Sequence, residues 1–188
     1  LGVLTRVTIK LTPLPAAQAW FSLTGTLGER RTAAAQLLRD ERRPSAVLMG
    51  GGTLSVELAG VAEDVTAPPG FVPCPPPAEP SASATVDVGV PPARIGELVS
   101  HIEARGLPYL AEWGVGLCRV GIDTADLVGE LRAWAREFGG HAVVADAPAE
   151  FRADPWGPPP AAAAIMERMR RAFDPVGILS PPFQPETV

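Results

Sequence analysis

Residues 84–145 decide the fold of this chain, and they read ATVDVGVPPARIGELVSHIEARGLPYLAEWGVGLCRVGIDTADLVGELRAWAREFGGHAVVA. The first seven alternate between inward apolar and outward side chains, which predicts a strand over 84–90. A helix follows, because Pro91 and Pro92 are tolerated in a first helical turn and Gly106 favours its end. Its apolar residues recur at helical spacing and are Ile95, Leu98, Val99 and Ile102.

The rest of this segment predicts two more strands, a second helix and a final strand. The strands fall at 107–112 and 115–122, on either side of a turn at Trp113, and the final strand covers 141–145. The second helix is predicted from a cap and an apolar stripe, formed by Asp123 or Thr124 and by Leu127, Leu131, Trp134 and Phe138. The order β-α-β-β-α-β is the split ferredoxin-like unit. We therefore expect an α+β fold, with an antiparallel sheet that carries helices on one face and leaves the other face free.

In the first half of the chain, the patterns that indicate strands and helices are shorter. Strands are predicted at 19–24, 46–49 and 54–58, and a helix at about 32–42. The three glycines at 50–52 favour a hairpin turn over a phosphate-binding loop, because no Gly-Lys-Ser/Thr follows and no helix begins after them.

Prolines interrupt the chain between about residues 60 and 83. They are Pro68, Pro69, Pro73, Pro75, Pro76, Pro77 and Pro80. Such a run prefers polyproline geometry, so the segment is interpreted as a rigid connector in preference to a docking motif for a partner.

Both ends of the chain carry regular patterns. Residues 1–11 alternate between apolar and polar side chains, which predicts a half-buried strand that Pro13 ends. Near the other end, apolar residues at helical spacing predict a helix over 165–173, which Pro175 stops. We expect this helix to lie across an edge or an end of the sheet.

Composition excludes several classes of protein. The formal charge is -5 and no basic stripe occurs, which argues against nucleic-acid binding. No apolar run is long enough to span a membrane, and no signal segment begins the sequence. The two cysteines, Cys74 and Cys118, are too few for a metal cage without nearby histidines, and their spacing leaves open whether they pair. A reduced, cytoplasmic setting is expected.

Three motifs carry a resemblance to a known family. The sequence LGVLTRVTIKLTPLP at 1–15 and FDPVGIL at 173–179 resemble the FAD-linked oxidases of the vanillyl-alcohol-oxidase type. The phrase YLAEWG at 109–114 is similar to the E subunit of bacterial glycolate oxidases. Ser180 begins Ser-Pro-Pro where that family usually continues Asn-Pro-Gly, which puts the role of that Asn in doubt here.

The resemblance implies that the chain consists of three parts. Residues 1–15 would be the last strand of an FAD-binding domain whose remainder lies upstream of Leu1. Residues 16–155 would form the cap, or substrate, domain over the flavin ring, and 156–188 a C-terminal helix and tail. It also implies FAD as cofactor, a small 2-hydroxy acid as substrate, and sister subunits, one of them an iron–sulfur protein, as partners. The alternative is a stand-alone ferredoxin-like module that binds a small ligand or assembles a complex.

Candidate site residues follow from the resemblance and from the chemistry of flavin enzymes. For the cofactor, the family pattern Gly-(Ile/Val)-x-Thr and the positions near the flavin select Gly2, Val3, Thr5, Trp113 and Ser180. A 2-hydroxy acid needs a guanidinium that binds its carboxylate and a base that takes its hydroxyl proton, for which Arg119 and His141 are the candidates. Each has a plainer interpretation. Arg119 points to solvent or pairs with Glu112, His141 is a solvated residue at the sheet rim, and Trp113 packs in the core. No metal cluster or catalytic triad is predicted.

Overall fold

The computed structural model describes residues 14–148, 151, 154–159 and 162–178 of the chain. Within them, eight strands form one sheet and four α-helices accompany it. The strands are β1 (Ala17–Thr24), β2 (Ala46–Gly50), β3 (Thr53–Gly60), β4 (Val72–Cys74), β5 (Ala84–Gly89), β6 (Tyr109–Glu112), β7 (Leu117–Ile122) and β8 (His141–Asp146). The helices are α1 (Leu27–Leu37), α2 (Ile95–Ala104), α3 (Asp126–Glu137) and α4 (Ala163–Phe173). Every pair of neighbouring strands is antiparallel, which confirms the predicted α+β class.

The sheet consists of two halves with the same internal arrangement. Its order is β4-β1-β3-β2-β6-β7-β5-β8. Counted from the outer edge of the sheet inward, each half places its own four strands in the order fourth, first, third and second. The second half has both helices of the ferredoxin-like unit, whereas the first half connects β3 to β4 through residues 61–71 without a helix. The halves join where β2 pairs with β6, with Leu48 opposite Glu112 and Met49 opposite Ala111. The sequence predicts the unit only for the second half.

One face of the sheet holds the core. On β5 the inward residues are Ala84, Val86 and Val88, and all three are buried. The pairing register places Val120 and Val144 beside Val86 on the same face. Helices α1, α2 and α3 cover this face. The largest side chains with almost no exposed surface are Met49, Leu54, Leu58, Ile95, Leu98, Ile102, Ile122 and Leu131. None of these three helices lies on the opposite face, and we call it the helix-free face.

Two helix starts differ from the predictions. Helix α1 begins five residues before the predicted start, because Thr26 and Glu29 form a capping box in which each side chain accepts a hydrogen bond from the other residue's backbone N–H. Helix α3 begins after Ala125 without a side-chain cap. The predicted cap residue Asp123 instead accepts hydrogen bonds from the backbone N–H and the hydroxyl of Ser83, each at 2.9 Å.

The last part of the proline-rich segment, residues 75–83, lies over the helix-free face. Strand β4, which was not predicted, pairs with β1 at one edge of the sheet, and β5 lies six strand positions away. Six strand spacings amount to about 29 Å. The ten-residue path from Cys74 to Ala84 reaches about 31 Å in polyproline geometry. The chain between these strands, residues 75–83, must therefore be almost fully extended, and we call it the strap.

Helix α4 lies outside the core. None of its residues is buried, and Ile165, Met169 and Phe173 are exposed. The turn that ends it is held by Asp174, which is buried and whose Oδ1 accepts a hydrogen bond from the N–H of Ile178 at 2.9 Å. Gly177 adopts a φ of 73°, which few other residues tolerate.

Candidate functional site

The strap covers part of the helix-free face and is fixed to it at two points. Glu79 forms an ion pair with Arg119 at 3.1 Å, and Ser83 binds Asp123. Between these points the strap passes close to the sheet, because a Cβ built on Gly121 would lie 2.8 Å from the Cβ of Ala82. A cavity of about 550 Å³ lies beneath the strap and is lined on the sheet side by Ser22, Gly50, Thr53, Ser55 and Leu110.

A row of residues beside the strap stays uncovered. The strand register places its members side by side across five neighbouring strands, and they are Leu48, Glu112, Leu117, Gly89 and His141. None of them lines the cavity beneath the strap. Glu112 and His141 are exposed at the surface, and the other three are half-buried. We call this the uncovered row. It is a largely apolar strip with one ionisable side chain towards each end.

Arg119 lies on the helix-free face between two carboxylates. Its Nε is 2.9 Å from Asp87 Oδ1, and its Nη1 is 3.1 Å from Glu79 Oε2. The hydrogen bonds and charge of Asp87 raise the pKa of the guanidinium above its usual value. Arg119 thus pairs with Asp87 and Glu79, and the predicted partner Glu112 is wrong. Because two carboxylates balance its charge, Arg119 attracts a further anion only weakly.

His141 begins β8 at the far end of the uncovered row. Its imidazole lies over Gly89, where an added Cβ would be 2.8 Å from the ring Cε1. Gly89 therefore leaves the space that the imidazole occupies. The strand register separates His141 from Arg119 by two strands across the sheet and two residues along it, or about 12 Å between Cα atoms. The structure does not bring the two predicted catalytic residues together.

Trp113 occupies a cleft at the other end of the uncovered row. The backbone N–H of Trp113 donates to the carbonyl of Val47 at 2.8 Å, which extends the pairing of β2 and β6 by one hydrogen bond. Its side chain is half-buried against the core and lines a cleft of about 560 Å³. Trp20, Leu38, Leu48 and Glu112 line the same cleft. Trp113 therefore packs on the core and also faces an accessible cavity.

A second cleft of about 510 Å³ lies at the outer edge of β8, and we call it the β8 cleft. It is lined by Arg132, Arg136, Gly140, His141, Ala142, Val143, Trp156, Pro158 and Pro159. Arg132 and Arg136 are four residues apart on α3 and so share one stripe of the helix. This spacing is visible in the sequence. The two arginines become part of a cleft only because a loop places Trp156 beside them. The sequence analysis did not identify either arginine.

Several predicted site residues lie outside the described residues, namely Gly2, Val3, Thr5 and Ser180. Among the residues that are described, no group of three or more His, Cys, Asp or Glu side chains is arranged to hold a metal ion. Cys74 and Cys118 are both free thiols, and burial raises the pKa of Cys118. No helix in the described ranges is long and apolar enough to cross a lipid bilayer.

Comparison with known proteins leaves the family open. No protein-family model matches the chain, and no curated protein matches it either.

Proposed function

We propose that this chain is the C-terminal cap portion of a flavin-dependent oxidoreductase that oxidises a small 2-hydroxy acid, of the kind represented by the glycolate oxidase E subunit. The observation that carries the proposal is the helix-free face. A largely apolar strip such as the uncovered row, with Leu117 at its centre and Leu48 at one end, suits the covering of a flat ring. The terminal motifs that resemble the FAD-linked oxidases point in the same direction.

The residues present suit the ring of FAD better than its phosphates. Trp113 offers an indole beside the uncovered row, in a cleft large enough to admit part of an aromatic ring system. No glycine-rich phosphate loop followed by a helix occurs in the described part of the chain. Within the proposal, Gly2, Val3 and Thr5 lie against the cofactor and the pyrophosphate is bound by a domain upstream of Leu1. When bound, FAD supplies the hydride-accepting chemistry.

Substrate binding in this proposal depends mainly on His141. Its exposed imidazole lies on the helix-free face with no hydrogen bond to another described residue, so it is available to accept a hydroxyl proton. Arg119 is the weaker candidate for the substrate carboxylate, because the substrate would have to displace Glu79 of the strap.

The proposal also names partners and a location. The chain's own FAD-binding domain would cover the helix-free face, and sister subunits, including an iron–sulfur subunit, would bind nearby. The exposed apolar side chains of α4 are consistent with such contacts, since apolar surface of this kind is usually covered by another protein. We infer a cytoplasmic protein that reaches the inner membrane only through its partners.

The test compares the full-length protein with residues 1–188 expressed alone. The full-length protein should purify yellow, and glycolate or D-lactate should bleach its flavin band under anaerobic conditions, whereas the 188-residue chain should be colourless. In the full-length protein, Gly2→Trp should lower flavin content per chain. Gly28→Trp is the matched control, because nothing lies within 4 Å of a Cβ at Gly28. A colourless full-length protein, or a yellow 188-residue chain, would contradict the proposal.

A stand-alone ferredoxin-like module that binds a small ligand remains the second candidate. The observation that favours it is the pair of clefts beside β6 and β8, each with an indole in its wall. The residues encoded upstream of Leu1 distinguish the two candidates. A glycine-rich flavin domain there supports the oxidoreductase, and a start codon close to Leu1 supports the module.

A further inference from the structure

We propose that the β8 cleft is a binding site for a small organic anion, in which a carboxylate or phosphate group is carried on a flat aromatic ring. The cleft combines cationic side chains from α3 with an apolar wall from residues 156–159. This site does not depend on the function proposed above, because it lies at the sheet edge and shares only His141 with the uncovered row.

The charge for the anion comes from Arg136. Its Nε donates to the carbonyl of Arg132 at 3.3 Å, and its two terminal nitrogens form no hydrogen bond or ion pair with any described residue. Arg136 therefore presents two N–H groups and an unbalanced positive charge to the cleft. His141 lines the same cleft and adds a ring nitrogen that lacks a hydrogen bond to the described protein. A carboxylate or a phosphate is the group that such donors bind best.

Arg132 shapes the cleft rather than supplying free charge. Its Nη1 is 3.1 Å from Asp154 Oδ2, while Asp154 Oδ1 accepts a hydrogen bond from the N–H of Gly157 at 2.9 Å. These contacts fold the segment around Trp156 against α3 and so build the apolar wall. The Nε of Arg132 is buried beneath Gly157 and has no hydrogen-bond partner in the described structure, so it is not exposed to the cleft.

The apolar part of the lining selects a flat ring. This part consists of the indole of Trp156, the rings of Pro158 and Pro159, and Val143. Such surfaces stack well on aromatic rings, and a volume of about 510 Å³ accommodates a small aromatic molecule. A ring with one anionic substituent matches both sides of the cleft at once. A charged group alone or a neutral ring alone matches only one side.

The test measures binding of four probes to the purified chain by isothermal titration calorimetry. Phenyl phosphate and benzoate should bind, and inorganic phosphate and phenol should bind at least about tenfold more weakly, because each keeps only half of the contacts. The indole N–H signal of Trp156 in nitrogen-labelled protein should shift with phenyl phosphate. The Trp156→Phe variant identifies that signal.

Variants then assign the charge. Arg136→Gln should weaken phenyl phosphate binding by about tenfold, and Arg136→Lys should recover part of the loss. Arg39→Gln is the matched control, because Arg39 is exposed, lies at the far side of the molecule after α1, and has no ion pair in the described structure. Circular dichroism confirms that each variant is folded. The proposal is overturned if neither ring-bearing anion binds, if inorganic phosphate or phenol binds as tightly as they do, or if Arg136→Gln leaves the affinity unchanged.

Discussion

Replacing Arg30 should destabilise the protein more than replacing any exposed arginine, because Arg30 joins the two halves of the sheet. Its side chain, on α1 of the first half, is only 4% exposed. It contacts two residues of the second half, with Nη2 2.8 Å from Glu103 Oε1 and Nη1 3.4 Å from the hydroxyl of Tyr109. The Tyr109 hydroxyl in turn donates to Glu103 at 2.6 Å. Burial raises the pKa of Tyr109, so the hydroxyl remains a donor.

The size of the effect follows from what the substitution leaves behind. Removing one partner of a fully buried ion pair costs about 3–5 kcal/mol. Glu103 is 27% exposed and can regain part of its hydration, so Arg30→Met should lower the free energy of unfolding by about 2–3 kcal/mol. Tyr109→Phe should lower it by about 1–2 kcal/mol. The double variant Arg30→Met with Glu103→Met should recover about 1 kcal/mol of the loss, because no charge is then left without a partner.

Equilibrium unfolding in urea, followed by circular dichroism, measures these differences. Arg171→Met is the matched control, because Arg171 is 76% exposed in its pair with Glu167 and an exposed ion pair adds little to stability. The dependence of the unfolding free energy on urea should be unchanged if the halves still unfold together. An Arg30→Met variant within about 0.5 kcal/mol of the unsubstituted protein would refute the view that this network holds the halves together.

Three further predictions concern local features. Gly50→Ala should lower the free energy of unfolding by about 2 kcal/mol or more, since its Cβ would lie only 2.3 Å from the carbonyl oxygen of Tyr109; urea unfolding of Gly60→Ala, where nothing lies within 4 Å, is the control. Hydrogen bonds from Arg42 lower the pKa of Asp40 to about 2, so the stability that this carboxylate adds is present above its unfolded pKa of about 4 and is lost as pH falls towards 2. Asp40→Asn should therefore reduce the loss of stability between those two pH values, and an identical acid dependence would contradict the assignment. Deleting Pro75 and Pro76 should leave the strap about 4 Å too short for its span and so detach β4 from β1. Faster reaction of Cys74 with a thiol reagent would report this, and an unchanged rate would count against an extended strap.

The sequence predicts the elements of the second half because each depends on local patterns. Strands β5 to β8 and helices α2 and α3 all follow from alternation, helical spacing and glycine stops. The joining of β2 to β6 involves two short strands that are about 60 residues apart, and nothing in either strand specifies the other as its neighbour. The start of α1 was predictable, since Thr26-x-x-Glu29 is a capping-box pattern that outweighs the apolar spacing further along.

The candidate site was less predictable than the fold, because its groups come from distant parts of the chain. The partners of Arg119 illustrate this difficulty. The position of Asp87 opposite Arg119 follows only from the register of β5 and β7, which the sequence does not specify. Glu79 reaches Arg119 only because the strap crosses the sheet. The β8 cleft depends in the same way on Asp154, which brings Trp156 to α3. His141 was identified correctly as a residue of the sheet rim, but its neighbours were not.

The strap gives the helix-free face two different regions, and this division bears on the function. Without the strap, the whole helix-free face would be exposed, and such a wide surface favours aggregation or unselective binding of partners. The prolines allow ten residues to cross six strand spacings without the hydrogen bonds of an added strand, because polyproline geometry needs none. The strap thus covers Ser55 and Gly121 and leaves the uncovered row between Trp113 and His141 accessible. A partner or ring that binds the helix-free face is thereby directed to this strip, whose two ends are the two clefts. The same argument explains why the proline content is concentrated here, since a flexible linker of this length would leave both regions equally exposed.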